Sequence, residues 1–285
     1  MNRPTQLLIC TLGAAVMFAA GAITVSTLNT RVNAAPPAAA PAPAPAASTG
    51  LPAGVQKQTF MLVHGAYAGG FEWKKAGDLL ASHGHTVYRP TLTGNGERVH
   101  LASKDIDINT HINDVVNTIL FEDLHDIVLV GHSYGGSVIT GVVDRIPERF
   151  KCVIYVDAGL PIDGETADDA RKKSAPTRAV DGWIGTAPRA GAKPPYNVQM
   201  SAKTFNTPMA LKNQDAAHKV PTEYILTVDQ GRQPQDDMFY KCYQRAQERG
   251  WSTSIMTGDH VVHVNQTAAL VERLEKATLT AKAGH

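Results

Sequence analysis

The sequence predicts an α/β fold: a mostly parallel sheet of about six strands, covered by helices on both faces and interrupted by an inserted cap. Three observations predict it. From residue 59 onward, short apolar runs alternate with helix-compatible segments. The apolar runs are continuous rather than alternating, which marks strands buried on both faces. One of them, residues 126–130, leads into Gly131-His132-Ser133-Tyr134-Gly135. That stretch fits G-x-S-x-G, the pattern of a nucleophile elbow between a strand and a helix.

Composition sets the bounds. The 285 residues are 43% hydrophobic and 19% charged, enough for one large domain with a full core. A net charge of +1 gives no reason to expect a nucleic-acid partner. The first fifty residues are a different material. Arg3 is followed by an uncharged apolar run, residues 7–25, and then by Val32-Asn33-Ala34 at the −3 to −1 positions of a signal-peptidase site. Residues 1–34 are expected to be an export signal, with an uncleaved membrane anchor as the alternative. Residues 35–53 are rich in Ala and Pro and read as a linker. The folded domain is expected over residues 54–285, in a bacterial periplasm or outside the cell. Export implies an oxidising compartment. Cys152 and Cys242 could pair there, but one lies in an apolar strand and the other in a helix, so two separate buried thiols are the expectation.

The elements follow in order. Residues 59–65 form a buried strand ending in the turn His64-Gly65-Ala66. Residues 71–83 are a helix stopped by Gly84. Residues 85–90 are a strand closed by Pro90, and a loop rich in Gly, Thr and Asn follows. Residues 108–121 place Ile112, Val115, Val116, Ile119 and Leu120 on one helical face. The motif strand and a helix over 137–145 come next, then a strand at 152–156. Residues 161–221 are charged, weakly periodic and too long for a plain connection. They are expected to form a cap, with short helices at 167–173 and 208–213. Trp183, Tyr196, Met200, Phe205 and Met209 are candidates for a pocket there, although core packing is the commoner role for any one of them. A strand at 224–228, a helix at 235–249, a strand at 251–256 and a closing helix at 264–282 complete the domain.

A serine hydroxyl is a poor nucleophile at neutral pH. It needs a base within hydrogen-bond reach, and the base needs an orienting carboxylate. In this kind of fold the order is Ser, Asp or Glu, then His, each at the end of a strand. Ser133, Asp229 and His260 meet that order and are the expected set. His263 is a rival base, one helical turn beyond His260. Asp157 is a rival acid at another strand end, ranked below Asp229, with Asp236 and Asp237 below both. Asp259 reads as a turn residue. His132 reads as structural, because the elbow fixes its backbone and turns its side chain away. Negative charge developing on a carbonyl oxygen would need two N–H donors. Those of Ala66 and Tyr134 are expected, which leaves His64 to shape the turn. No metal site is expected, since neither H-E-x-x-H nor C-x-x-C occurs, and no phosphate-loop or dinucleotide fingerprint implies a cofactor.

Residues 60–66, Gly70-Phe71-Glu72-Trp73 and Gly84-His85-Thr86-Val87 resemble the start of α/β-hydrolase-fold esterases related to plant methylesterases and hydroxynitrile lyases. Residues 91–101 resemble a stretch of their bacterial relatives, which include carboxylesterases and pyrethroid hydrolases. Residues 130–136 and Gly258-Asp259-His260 extend the likeness. The resemblance implies hydrolysis of a small-molecule carboxylic ester through an acyl-enzyme. It implies His260 as the base, Asp229 as the acid, and Ala66 and Tyr134 as oxyanion donors. The lyases of this group carry Lys directly after the catalytic His and Thr in the first turn. Val261 and Gly65 stand at those positions, which favours hydrolysis. A lyase, a cofactor-free peroxidase-like activity and a non-catalytic binding module are the alternatives.

Overall fold

The computed structural model describes residue 51, residues 56–171 and residues 177–280. The expected export signal, and the expected linker apart from Leu51, lie outside the described residues. Six strands form the main sheet: β1 (Thr59–Val63), β2 (Thr86–Tyr88), β3 (Ile127–Ser133), β4 (Phe150–Ala158), β7 (Thr222–Val228) and β8 (Ser252–Thr257). Their order is β2-β1-β3-β4-β7-β8, and every pairing is parallel. Between β4 and β7 lies a two-stranded antiparallel ribbon, β5 (Trp183–Ile184) with β6 (Met200–Ser201).

The continuously apolar strands work because the two-residue period sends alternate side chains to opposite layers. Phe60 and Leu62 of β1 and Val128 and Val130 of β3 enter one layer. There they meet Ala76 and Leu80 of α1 (Lys74–Ser82) and Leu270 and Leu274 of the closing helix α8 (Thr267–Thr280). Met61, Val63 and Leu129 enter the other. It is covered by Ile112, Val115 and Ile119 of α2 (Ile108–Phe121) and Val138 and Val142 of α3 (Tyr134–Arg145). Asp107 caps α2, its side chain accepting from Thr110 N, an interaction worth about 1 kcal/mol.

One feature of β4 was not visible in the sequence. The strand runs two residues past the expected end at 156, and its register against β3 shifts between His132 and Ser133. His132 faces Val156 and Ser133 faces Ala158, so Asp157 falls between partners in a bulge, with φ of 45°. A bulge re-aims the side chain of the extra residue.

The segment between β4 and β7 corrects two expectations. Residues 167–171 are turns, and residues 208–213 are not helical. Side-chain carboxylates instead bind backbone N–H groups in and beside these segments. Asp168 accepts from Thr177 N at 2.7 Å, Asp163 from Leu211 N at 2.8 Å, and Asp144 from Lys212 N and Asn213 N at 2.9 and 2.8 Å. The short helices lie elsewhere, at α4 (Lys203–Asn206) and α5 (Gln214–Ala217). After β7, a turn at Pro234–Asp236 precedes α6 (Tyr240–Glu248), and after β8 the short α7 (Val262–Asn265) precedes α8.

Asp144 is buried on α3 and ties this segment to the main domain through two N–H groups. Replacing it with Ala leaves both without an acceptor, at a cost of about 2–4 kcal/mol. Asp144→Ala should lower the urea midpoint accordingly and open residues 208–218 to limited proteolysis, whereas Asp144→Asn should lose about half as much.

Candidate active site

Ser133 is the last residue of β3 and directly precedes α3. Its backbone is held at φ 55° and ψ −122°, a conformation costing about 1–3 kcal/mol that persists only when the surroundings enforce it. The flanking glycines show what enforces it. A Cβ on Gly131 would lie 2.7 Å from Ile139 Cδ1, and one on Gly135 would lie 2.6 Å from His64 O and 2.7 Å from Val63 O. The start of α3 is thus pressed against the end of β1, which no other residue type permits.

His260 lies in the loop after β8 and is the residue on Ser133. Its Nε2 accepts from Ser133 Oγ at 2.9 Å, and its Nδ1–H donates to Asp157 Oδ2 at 2.6 Å. Asp157 is fully buried, and its other oxygen accepts from Thr227 N at 3.1 Å. Asp229, the expected acid, does not take this place. Its side chain is 52% exposed and stands 4.0 Å from Arg232 on the surface. The correction has a physical reason. The bulge in β4 turns Asp157 toward the imidazole and Thr227 N on β7 holds its other oxygen, whereas Asp229 lies past the end of β7 on the surface.

The other histidines and acids also find their places. His263 is buried beside Glu72, 3.7 Å away, and makes no hydrogen bond to Ser133 among the described residues. Asp259 accepts from Val261 N and Asn265 Nδ2, a turn residue. Asp236 closes the turn after β7 with Gln233. Asp237 accepts from Phe239 N at 2.7 Å, and burial together with the charge of Asp157 raises its carboxyl to about 6. His132 donates from Nε2 to the His260 carbonyl at 2.7 Å, with ring centroids 4.6 Å apart. Burial first, then the nearby His263 and His260, hold its pKa well below 6.5, so it is neutral. Phe239 stacks on the other side of His260, at 5.7 Å. His132 and Phe239 therefore fix the imidazole, a role the sequence did not reveal.

Burial pulls the His260 pKa down, but the Asp157 hydrogen bond and charge outweigh it, and the net shift is upward from 6.5. His64 shapes the first turn: its Nδ1–H donates to Gly65 O at 2.7 Å and its Nε2 accepts from Leu92 N at 3.0 Å. Burial lowers its pKa too. Ala66 and Tyr134 both border the cavity that contains Ser133 and His260. Tyr134 is the first residue of α3, where N–H groups lack an intrahelical acceptor, and Ala66 N has no backbone acceptor among the described residues. Tyr134 is itself held by its hydroxyl, which donates to His111 Nδ1 at 2.9 Å.

The cavity encloses about 270 Å³. Tyr67, Phe205, Met238 and Phe239 give it apolar walls, and Arg171 and Asn197 add polar edges. Of the cap candidates, Phe205 lines it, while Met200 and Met209 pack into the core. A larger cavity of about 490 Å³ lies at the opposite edge of the sheet, where β7 and β8 begin, and holds none of these groups. Cys152 and Cys242 are separate buried thiols, pushed up by burial to about 12 and about 11.

Known proteins resemble this chain in sequence and fold. The sequence profile of the alpha/beta hydrolase family matches residues 60–285. A carbendazim hydrolyzing esterase of Nocardioides sp. (strain SG-4G) is 43% identical over 126 residues, 44% of this chain and 52% of that protein. Methylesterase 2 of Arabidopsis thaliana is 29% identical over 133 residues, 46% of this chain and 51% of that protein. The chain thus spans about half the length of the curated relatives it matches. Among solved structures, an extracellular alpha/beta-hydrolase from a Paenibacillus species superposes with a TM-score of 0.61 at 25% identity, covering 77% of this chain and 98% of that one. A pyrethroid hydrolase from Sphingobium faniae JZ-2 shares the fold, with a TM-score of 0.59 at 21% identity over 78% of this chain and 98% of that one.

The pairing of His260 with Asp157 rather than Asp229 can be read directly. In an NMR titration the His260 imidazole should titrate above 6.5. Asp157→Asn should bring it down, while Asp229→Asn should leave it in place. A shift with Asp229→Asn alone would reverse the assignment.

Proposed function

The chain belongs to the alpha/beta hydrolase family, and on that premise we propose that it is a serine esterase that cleaves small carboxylic esters through an acyl-enzyme. The observation that carries the proposal is the continuous relay from Ser133 Oγ through His260 to the buried Asp157, at 2.9 and 2.6 Å. His260 Nε2 takes the hydroxyl proton as Ser133 Oγ attacks the ester carbonyl. Asp157 holds the ring in the tautomer that leaves Nε2 free and stabilises the imidazolium that forms. The carbonyl oxygen gathers negative charge and accepts from Ala66 N–H and Tyr134 N–H, donors worth about 3–4 kcal/mol each in comparable sites. The imidazolium returns the proton to the leaving alcohol. Water, deprotonated by the same Nε2, then releases the acid and frees Ser133.

The names of the carbendazim hydrolyzing esterase and methylesterase 2 support the ester class. The volume and walls of the cavity favour a small or medium ester with an apolar part. Gly65 and Val261 give the lyase alternative no support. The chain would act after export, in the periplasm or outside the cell, on a small molecule and without nucleic acid. The apolar stretch at residues 7–25 and the likeness to an extracellular hydrolase support export. No helix among the described residues is long and apolar enough to cross a membrane.

Ser133→Ala should abolish p-nitrophenyl acetate hydrolysis in a chain that still folds, and wild-type-like turnover would sink the proposal. Asp157→Asn should lower kcat by about 10⁴-fold with little change in KM. In the wild type the base must be neutral and its pKa is raised. kcat/KM should therefore climb with pH through an inflection above 6.5, and a flat profile from pH 5 to 8 would contradict His260 as the base.

A further inference from the structure

Directly behind the imidazole of His260 lies a second group of side chains that the ester chemistry does not use. Glu72, His132 and His263 each bring one oxygen or nitrogen to a common point, all within 4.8 Å of one another. They come from three separate segments: the turn after β1, the elbow, and α7 after β8. Glu72 Oε2, His132 Nδ1 and both ring nitrogens of His263 are buried and make no hydrogen bond. Leaving one such atom bare costs about 1–3 kcal/mol, and three residues each presenting one in the same place call for a common partner.

The hydrogen bond at His132 says what kind of partner. His132 Nε2 faces the His260 carbonyl at 2.7 Å, and a carbonyl only accepts, so Nε2 carries the hydrogen. Nδ1 is then the ring nitrogen left without a partner, and it faces the group. An imidazole that donates from one nitrogen to a backbone carbonyl and presents the other bare has the arrangement of a metal-ligating histidine. Gly65 keeps that nitrogen open, since a Cβ there would stand 3.1 Å from it. His263 Nε2 is 3.7 Å from Glu72 Oε2, too long for a hydrogen bond but the separation of two ligands on one small cation.

We propose that Glu72, His132 and His263 form a binding site for a divalent transition-metal cation of the zinc class. Two imidazoles and one carboxylate suit such an ion, and hard cations such as magnesium or calcium would prefer an all-oxygen set. One position remains for water, on the side where Glu72 and His132 border the active-site cavity. The ion clips these three segments together and fixes His132, which holds the His260 backbone. Its role is to position the base; Ser133 chemistry does not run through it.

The test uses the untagged full-length chain, stripped of metal and titrated with Co²⁺ as a spectroscopic probe and with Zn²⁺. The wild type should take up one Co²⁺ with the visible absorption of a tetrahedral nitrogen–oxygen site. Saturating Zn²⁺ should raise the Tm by about 5–10 °C. Glu72→Gln and His263→Gln should each weaken uptake by more than about 100-fold, beyond the loss typical of an outer hydrogen-bond partner. No stoichiometric uptake by the wild type, or equal uptake by both variants, would overturn the site, the latter assigning the metal to surface histidines. A second measurement needs no variant. The Co²⁺-loaded wild type should show paramagnetically shifted resonances from two imidazoles, and any other number would refute the ligand set.

Discussion

Everything at this site depends on one close approach. The first turn of α3 is pressed against the carbonyls of Val63 and His64 at the end of β1, with no room for a Cβ at Gly135. That contact holds Ser133 in its left-handed conformation and places the start of the helix beside the turn that carries Ala66. The strain at Ser133 is stable because it is over-determined: β3 is paired on both sides, and Ile139 of α3 packs onto the elbow at Gly131.

The second constraint is the bulge in β4. A regular pairing would have put residue 157 in register with the elbow and sent its side chain to one face of the sheet. The extra residue instead leaves Asp157 free to meet His260, while Thr227 N on the next strand holds its other oxygen. A buried carboxylate needs such partners to remain charged. Burial lowers His260, but the Asp157 hydrogen bond and charge outweigh it; at Asp237 burial and then the Asp157 charge raise the carboxyl to about 6. His132 and Phe239 complete the frame by confining the ring from two sides.

The parts legible in the sequence are those written in local pattern. Apolar runs marked β1, β3, β4 and β7, and the period of Ile112, Val115 and Ile119 marked α2 to its ends. G-x-S-x-G marked the elbow, because the glycines are required by contacts within a few residues of Ser133. His260 was legible as the histidine in the loop after the last strand. Asp157 and Asp229 were both strand-end aspartates, and choosing between them needed the strand order and a register shift that no periodicity encodes. The short cap helices were misplaced because Asp144, Asp163 and Asp168 hold the backbone there through long-range side-chain bonds. Glu72 and His263 are 191 residues apart, and only the closed fold brings them together.

The central claim is that Ser133 becomes acylated, and mass spectrometry of the chain quenched during turnover of a slowly deacylating p-nitrophenyl ester tests it most directly. A single acyl adduct is expected on the peptide that contains Ser133, formed within the first turnover and absent from Ser133→Ala. Sustained ester hydrolysis with no adduct on that peptide would contradict it.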